Sequence, residues 1–244
     1  FSLGKWSIVN PQKSRRAKVS HERKGEMPEP TPLSLLATPQ DADWWLPRHQ
    51  QKLAEKASME RVDLVFLGDS ITQGWEAEGR VFWDECYGSL NALNLGFNGD
   101  RTEHVLWRLA HGAVEGIDPK CLVLLIGTNN TGHRQDAPQE TALGIQAILA
   151  ILRVKLPKTK ILLLAIFPRS AKPTQKMRVL NDEVNRLMQA YADTEEVVYL
   201  DINECFLDDN GRVSPEVMGD YLHINAAQYR VWAEAIAPYI LLSK

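Results

Sequence analysis

Val62-Asp63-Leu64-Val65-Phe66-Leu67-Gly68-Asp69-Ser70-Ile71 is the stretch on which the fold turns. A short apolar run closes on Gly-Asp-Ser. The run reads as a buried strand, and the glycine after it reads as the start of a tight turn. The Ser70 hydroxyl then stands at the carboxyl end of a strand, where open α/β sheets place ligands and chemistry. Outward from this point the pattern repeats. Strands are predicted at 62–67, 90–95, 121–126, 160–166 and 197–201, and helical patterns near 79–87, 101–110, 138–155, 174–192 and 225–241. Strands alternating with helices over short connections give βαβ units and a parallel sheet. Right-handed crossovers turn that into an α/β three-layer αβα sandwich around five parallel strands. Leu122 to Ile126 and Ile161 to Ile166 lack alternation, as strands covered on both faces do. Asp100-Arg101-Thr102-Glu103 has the form of a capping box with Asp100 as N-cap. Asn225-Ala226-Ala227-Gln228 repeats that form at the last helix, leaving Asp220 to His223 in a loop.

The chain has 244 residues, 44% hydrophobic and 24% charged, with a net charge of −3. This is the composition of a soluble globular protein with one sizeable core. It lacks the basic stripe of a nucleic-acid binder and any apolar stretch long enough to span a bilayer. Cys86, Cys121 and Cys205 are odd in number and far apart, so neither a disulfide framework nor a zinc site is indicated. Two units are expected: an extended or loosely packed N-terminal arm over 1–40, and a single domain over 41–244. The arm is basic at Lys13 to Lys18 and His21 to Lys24, then carries Pro28, Pro30 and Pro32. It reads as a solvated segment, with a basic tether for a partner as the other reading. The chain begins at Phe1, and no cleavable leader is read in it. The compartment stays open between secreted, periplasmic and cytoplasmic. A helix is expected within 41–60, where Trp44-Trp45 is a packing anchor or a substrate platform.

Four loops carry the chemistry. Ser70 supplies a hydroxyl. Asp220-Tyr221-Leu222-His223 supplies an acid and an imidazole three residues apart, so that one loop holds the base and its orienting carboxylate. Gly96-Phe97-Asn98-Gly99-Asp100 and Gly127-Thr128-Asn129-Asn130 each close an apolar run. The Gly99 and Ser70 amides and the Asn129 side chain are candidate oxyanion donors. Threonine at position 72 departs from the GxSxG elbow of α/β-hydrolases. Ile71 and Leu222 flank the nucleophile and the base, and are expected to narrow the acyl pocket or else to face the core. Arg169 is expected either to reach the leaving group or to serve as a structural residue. His133 is a loop histidine near the proposed site and a candidate substrate contact. Asp69 is expected to shape its loop as a hydrogen-bond acceptor.

These four blocks resemble the SGNH, or GDSL, family of serine esterases and lipases. Gly68 to Ile71 matches the nucleophile block. Gly99, Asn129 and the Asp220/His223 pair match the blocks that follow, from Val62 through to the last helix. A narrower likeness, through Ala92 to Asp100, His104 to Leu109, Gly127 to Asn130 and Phe167-Pro168-Arg169, is to the catalytic subunits of intracellular platelet-activating-factor acetylhydrolase. The resemblance implies a flavodoxin-like sheet and a soluble acetyl-ester hydrolase of bacterial type, acting on a small-molecule or glycan acetyl ester. It implies no metal or organic cofactor. Related subunits can pair, which leaves a homodimer open. The expected reaction is attack of Ser70 on the ester, with His223 as base, Asp220 orienting it, and an acyl-enzyme resolved by water. Two alternatives stand beside it. One is a lipid acetylhydrolase or lysophospholipase. The other is a non-catalytic flavodoxin-like subunit holding a phosphate or flavin at the Gly-Asp-Ser loop.

Overall fold

A computed structural model describes residues 30–192 and 195–241. Five parallel strands, β1 (Leu64–Gly68), β2 (Ala92–Gly96), β3 (Cys121–Leu125), β4 (Lys160–Leu164) and β5 (Val197–Leu200), form one sheet in the order β2-β1-β3-β4-β5. The helices are α1 (Trp45–Ser58), α2 (Ser70–Gln73), α3 (Arg80–Tyr87), α4 (Thr102–Ala110), α5 (Pro138–Lys155), α6 (Lys176–Met188) and α7 (Ala226–Leu241). The chain leaves β1 at the point where strand order reverses, with β2 on one side and β3 on the other. Ligand crevices open at such a switch point.

Alternate residues of each strand serve the two faces. Val65, Leu67, Leu93, Leu95, Leu122 and Leu124 join Val105 and Leu109 of α4, Ile145 and Ile148 of α5 and Val184 of α6 in one apolar layer. Leu64, Phe66, Val123 and Leu125 join Trp75, Tyr87 of α3 and Tyr229 and Trp232 of α7 in the other. This second layer is strongly aromatic: Phe66, Trp75, Tyr87 and Trp232 meet at centroid distances of 4.9–6.0 Å. Cys121 packs inside it.

Four sequence expectations need correction. Residues 31–40 are packed on the body: Ser34 is buried, donates to the Glu140 carbonyl and accepts from Thr102 through its own carbonyl. Thr31 onward forms one compact unit, so the boundary falls near residue 31, and the rest of the expected arm lies outside the described residues. Asp100 does not cap α4. Arg101 is the N-cap, its N–H donates to His104 Nδ1, and the Asp100 carboxylate faces inward. Asn225 turns back from α7, accepting from the Gly219 N–H and donating to the Pro215 and Glu216 carbonyls. The helix expected over 174–192 ends at Met188 and tightens into a 3₁₀ turn over Gln189–Tyr191.

Candidate active site

Ser70 opens α2 directly after β1, and its N–H has no intrahelical acceptor. Asp69 shapes the turn: its carboxylate accepts the Ile71 N–H at 3.0 Å. The turn is locked against the next strand. The Phe97 N–H donates to the Gly68 carbonyl, Asn94 donates to the Thr72 carbonyl, and the Asn98 N–H donates to Gln73 Oε1. A Cβ on Gly96 would lie 2.1 Å from the Gln73 nitrogen, so this close approach requires glycine.

The candidate base comes from the loop before α7. Tyr221 holds a left-handed backbone, φ 58°, and Ser170 in the loop after β4 does the same at φ 67°. The Ser170 N–H donates to the Tyr221 carbonyl at 2.8 Å, so each strained turn braces the other. Asp220 Oδ1 accepts the N–H groups of Leu222 and His223, and Oδ2 accepts from His223 Nδ1 at 2.6 Å. His223 Nε2 lies 2.9 Å from Ser70 Oγ. Burial works against the charge on Asp220. The His223 ring and the two amides outweigh it and hold the carboxyl below its usual range. That is the charge state needed to orient an imidazole and stabilise its protonated form.

The opposite wall carries the candidate donors. Gly99 adopts φ 72°, which glycine takes without strain, and its N–H has no acceptor among the described residues. Asn129 gives one amide hydrogen to the Asp100 carbonyl at 2.9 Å and faces the cleft. Ser70, Gly99, Asn129, His133, Leu222 and His223 all line one cleft of about 850 Å³. Burial, and after it the Arg101 charge, lowers the His133 pKa, so this imidazole presents a neutral face. Asp69 is fully enclosed, and burial pushes its carboxyl up to about 7 against the Ile71 amide and the His223 charge.

Two expected pocket residues lie elsewhere. Ile71 is 1% exposed in the aromatic layer, because one helical step past Ser70 turns its side chain beneath the sheet end. Arg169 donates to the Thr128 carbonyl and hydroxyl, and holds the Asn129 loop from behind. Arg108 and Gln40, unassigned from the sequence, and Trp45, read there as a packing anchor or substrate platform, prove structural to the site. Arg108, 0% exposed, pairs with Asp100 at 2.7 Å and donates to the Leu95 and Gly68 carbonyls at the ends of β2 and β1. Trp45 Nε1 and Gln40 Nε2 each reach Asp100 Oδ1 at 2.7 Å. Asp100 thus ties the Gly99 loop to α1, α4 and Asn129. An arginine set between Val105 and Leu109 on an apolar helix face was the available signal.

A hydroxyl at a strand end, an imidazole within bonding distance and a carboxylate behind it are the parts that an acyl-transfer site needs. The sequence model of the GDSL-like lipase/acylhydrolase family matches residues 66–231, and the chain belongs to that family. It is 36% identical over 191 residues to the rat platelet-activating factor acetylhydrolase IB subunit alpha2, covering 78% of this chain and 80% of that one. A GDSL-like lipase from Bacteroides thetaiotaomicron superposes with a TM-score of 0.66 at 19% identity, over 80% of this chain and 98% of that one. An acetyl-xylooligosaccharide esterase from Geobacillus gives 0.59 at 18%, over 75% and 96%. The two structural likenesses speak to the fold.

Proposed function

We propose that this protein hydrolyses short acyl esters, acetyl above all, of a polar alcohol such as a carbohydrate, through a Ser70 acyl-enzyme. The reading rests on one observation: Ser70 Oγ, His223 and Asp220 form a continuous hydrogen-bonded relay at 2.9 and 2.6 Å. Ser70 attacks the ester carbonyl as His223 Nε2 takes its proton. The oxyanion is held by the Ser70 and Gly99 amides and the Asn129 side chain, each donor contributing a few kcal/mol in the transition state. The tetrahedral intermediate collapses, and the alcohol leaves with the proton from His223. Water, deprotonated by the same imidazole, then attacks the acyl-enzyme and releases the acid. A flavin or phosphate carrier would have no use for this relay.

Leu222 supports the preference for small acyl groups, since it lines the cleft beside the base. A lipid acetyl ester is the second reading, favoured by the likeness to platelet-activating factor acetylhydrolase subunits. Initial rates on 4-nitrophenyl acetate, butyrate and octanoate, on O-acetylated xylo-oligosaccharides and on an acetylated phospholipid separate these. The expected order is a graded fall from acetyl to octanoyl, because a small pocket discriminates only modestly per methylene. The acetylated sugar should be turned over faster than the lipid. Equal or rising rates with chain length contradict the narrow pocket, and a lipid rate above the sugar rate selects the second reading.

A further inference from the structure

The two adjacent tryptophans at the start of α1 have opposite fates. Trp45 is 0% exposed, surrounded by Phe97, His104 and Trp107 and bonded to Asp100. Trp44 is 42% exposed, packs against no aromatic ring among the described residues, and its indole N–H has no acceptor there. Trp44 already belongs to the helical turn, since its carbonyl accepts from the Arg48 N–H. Pro47, Arg48 and Gln51 follow it at the spacing of a single helix face. That face forms one wall of a shallow cleft of about 480 Å³, and Gln73 and Asn98 form the other. Gln73 and Asn98 also line the catalytic cleft, so the two cavities share a wall.

We infer that the Trp44 cleft is a subsite for a neutral pyranose ring, the sugar of the alcohol half of the ester hydrolysed at Ser70. This rests on the esterase reading above and specifies its substrate class. An exposed aromatic face suits the apolar C–H face of a sugar ring. Planar amides at the ring edge suit its hydroxyls. The Gln73 Nε2 donors and the side chains of Asn98 and Gln51 have no partner among the described residues, although Gln73 Oε1 is engaged. Arg48 faces Glu76 at 3.0 Å, Lys52 bridges Glu76 and Glu55, so two cations meet two carboxylates, and the Arg48 guanidinium donates to the Gly96 carbonyl. The cleft therefore offers a neutralised cation, which fits an uncharged glycan and not a phosphate headgroup. Trp44 lies before residue 66, outside the part of the chain that matches the family model. The subsite thus joins Trp44, Arg48 and Gln51 of this N-terminal segment to Gln73 and Asn98 of the matched part.

The experiment compares the parent with W44A and W44F. Acetate release is measured from O-acetylated xylo-oligosaccharides and from 4-nitrophenyl acetate, and binding of deacetylated xylo-oligosaccharide is measured by calorimetry. W44A should lose about tenfold in kcat/KM on the sugar ester, chiefly through KM, and should stay within twofold on the aryl ester. W44F should recover most of the loss, and calorimetric binding should disappear in W44A. Unchanged sugar kinetics in W44A, an equal loss on both esters, or sugar binding that survives in W44A overturns the subsite. A parent that cleaves 4-nitrophenyl acetate through Ser70 while neither binding nor cleaving the sugar overturns the subsite alone. A parent that binds sugar at Trp44 but shows no Ser70-dependent hydrolysis keeps the subsite and removes the esterase reading.

Discussion

Asp220 and Asp69 both feel the His223 imidazole, and their surroundings drive them in opposite directions. Asp220 is half-exposed and bonded to His223 and two amides, which keep it charged. Asp220→Asn removes the charge and favours the wrong imidazole tautomer. We expect kcat to fall about 10²- to 10⁴-fold with KM changed little. An unchanged kcat, measured on 4-nitrophenyl acetate, would remove Asp220 from the relay. Asp69 has the reverse linkage. Its carboxyl, raised to about 7 by burial, binds its proton more tightly in the folded state than in the unfolded one. Stability therefore declines as pH rises from about 4 to 7, by an amount of the order of a few kcal/mol. Asp69→Asn keeps an oxygen for the Ile71 N–H. The Tm of the variant should overtake that of the parent as pH passes 6, and parallel Tm curves would refute the linkage. At this scale the meeting of Ser70, Asp220 and His223 was legible, because their spacing and strand-end context are local. The fate of Ile71 was not: which way a residue one step into a four-residue helix points depends on the layer that receives it.

Elements were read well where burial is two-sided and poorly where a distant partner intervenes. β3 and β4 announce themselves as unbroken apolar runs, and the sequence places both within two residues of their observed ends. The capping signal at Asp100 misled because its carboxylate is claimed by Arg108, Trp45 and Gln40, the last two more than fifty residues away. No local pattern encodes that competition. The same contacts let α1 and α4 position the candidate site, since the Asp100 segment carries both the Gly99 amide and the anchor for Asn129. Asp100→Asn leaves a buried guanidinium uncompensated. Denaturant unfolding should show a loss of about 3–5 kcal/mol. The double variant with Arg108→Met should lose less than Asp100→Asn alone, because neither partner is then stranded. Equal or additive losses would mean that the pair is not the energetic unit the geometry describes.

Over the whole molecule, the parallel sheet brings distant segments to one rim. Ser70 follows β1, Gly99 follows β2 and Asn129 follows β3, while His223 arrives from the chain just before α7, 153 residues beyond Ser70. Two apolar layers hold the strands in register, and cross-braces from Arg108, Arg169 and the Ser170–Tyr221 pair fix the loops to one another. The fold class was legible in the alternation of elements. The packing of residues 31–58 against the Gly99 loop was not, since it depends on contacts between segments that share no sequence motif. No described helix is long and apolar enough to cross a membrane. The central claim is that this convergence makes one hydroxyl, among all those in the chain, a nucleophile. Incubation with a fluorophosphonate followed by peptide mass spectrometry tests it most directly. The account predicts a single adduct per chain on Ser70, loss of 4-nitrophenyl acetate hydrolysis in step with labelling, and neither labelling nor hydrolysis in Ser70→Ala. Labelling at another residue, or a Ser70→Ala variant that cleaves the ester at the parent's rate, would contradict it.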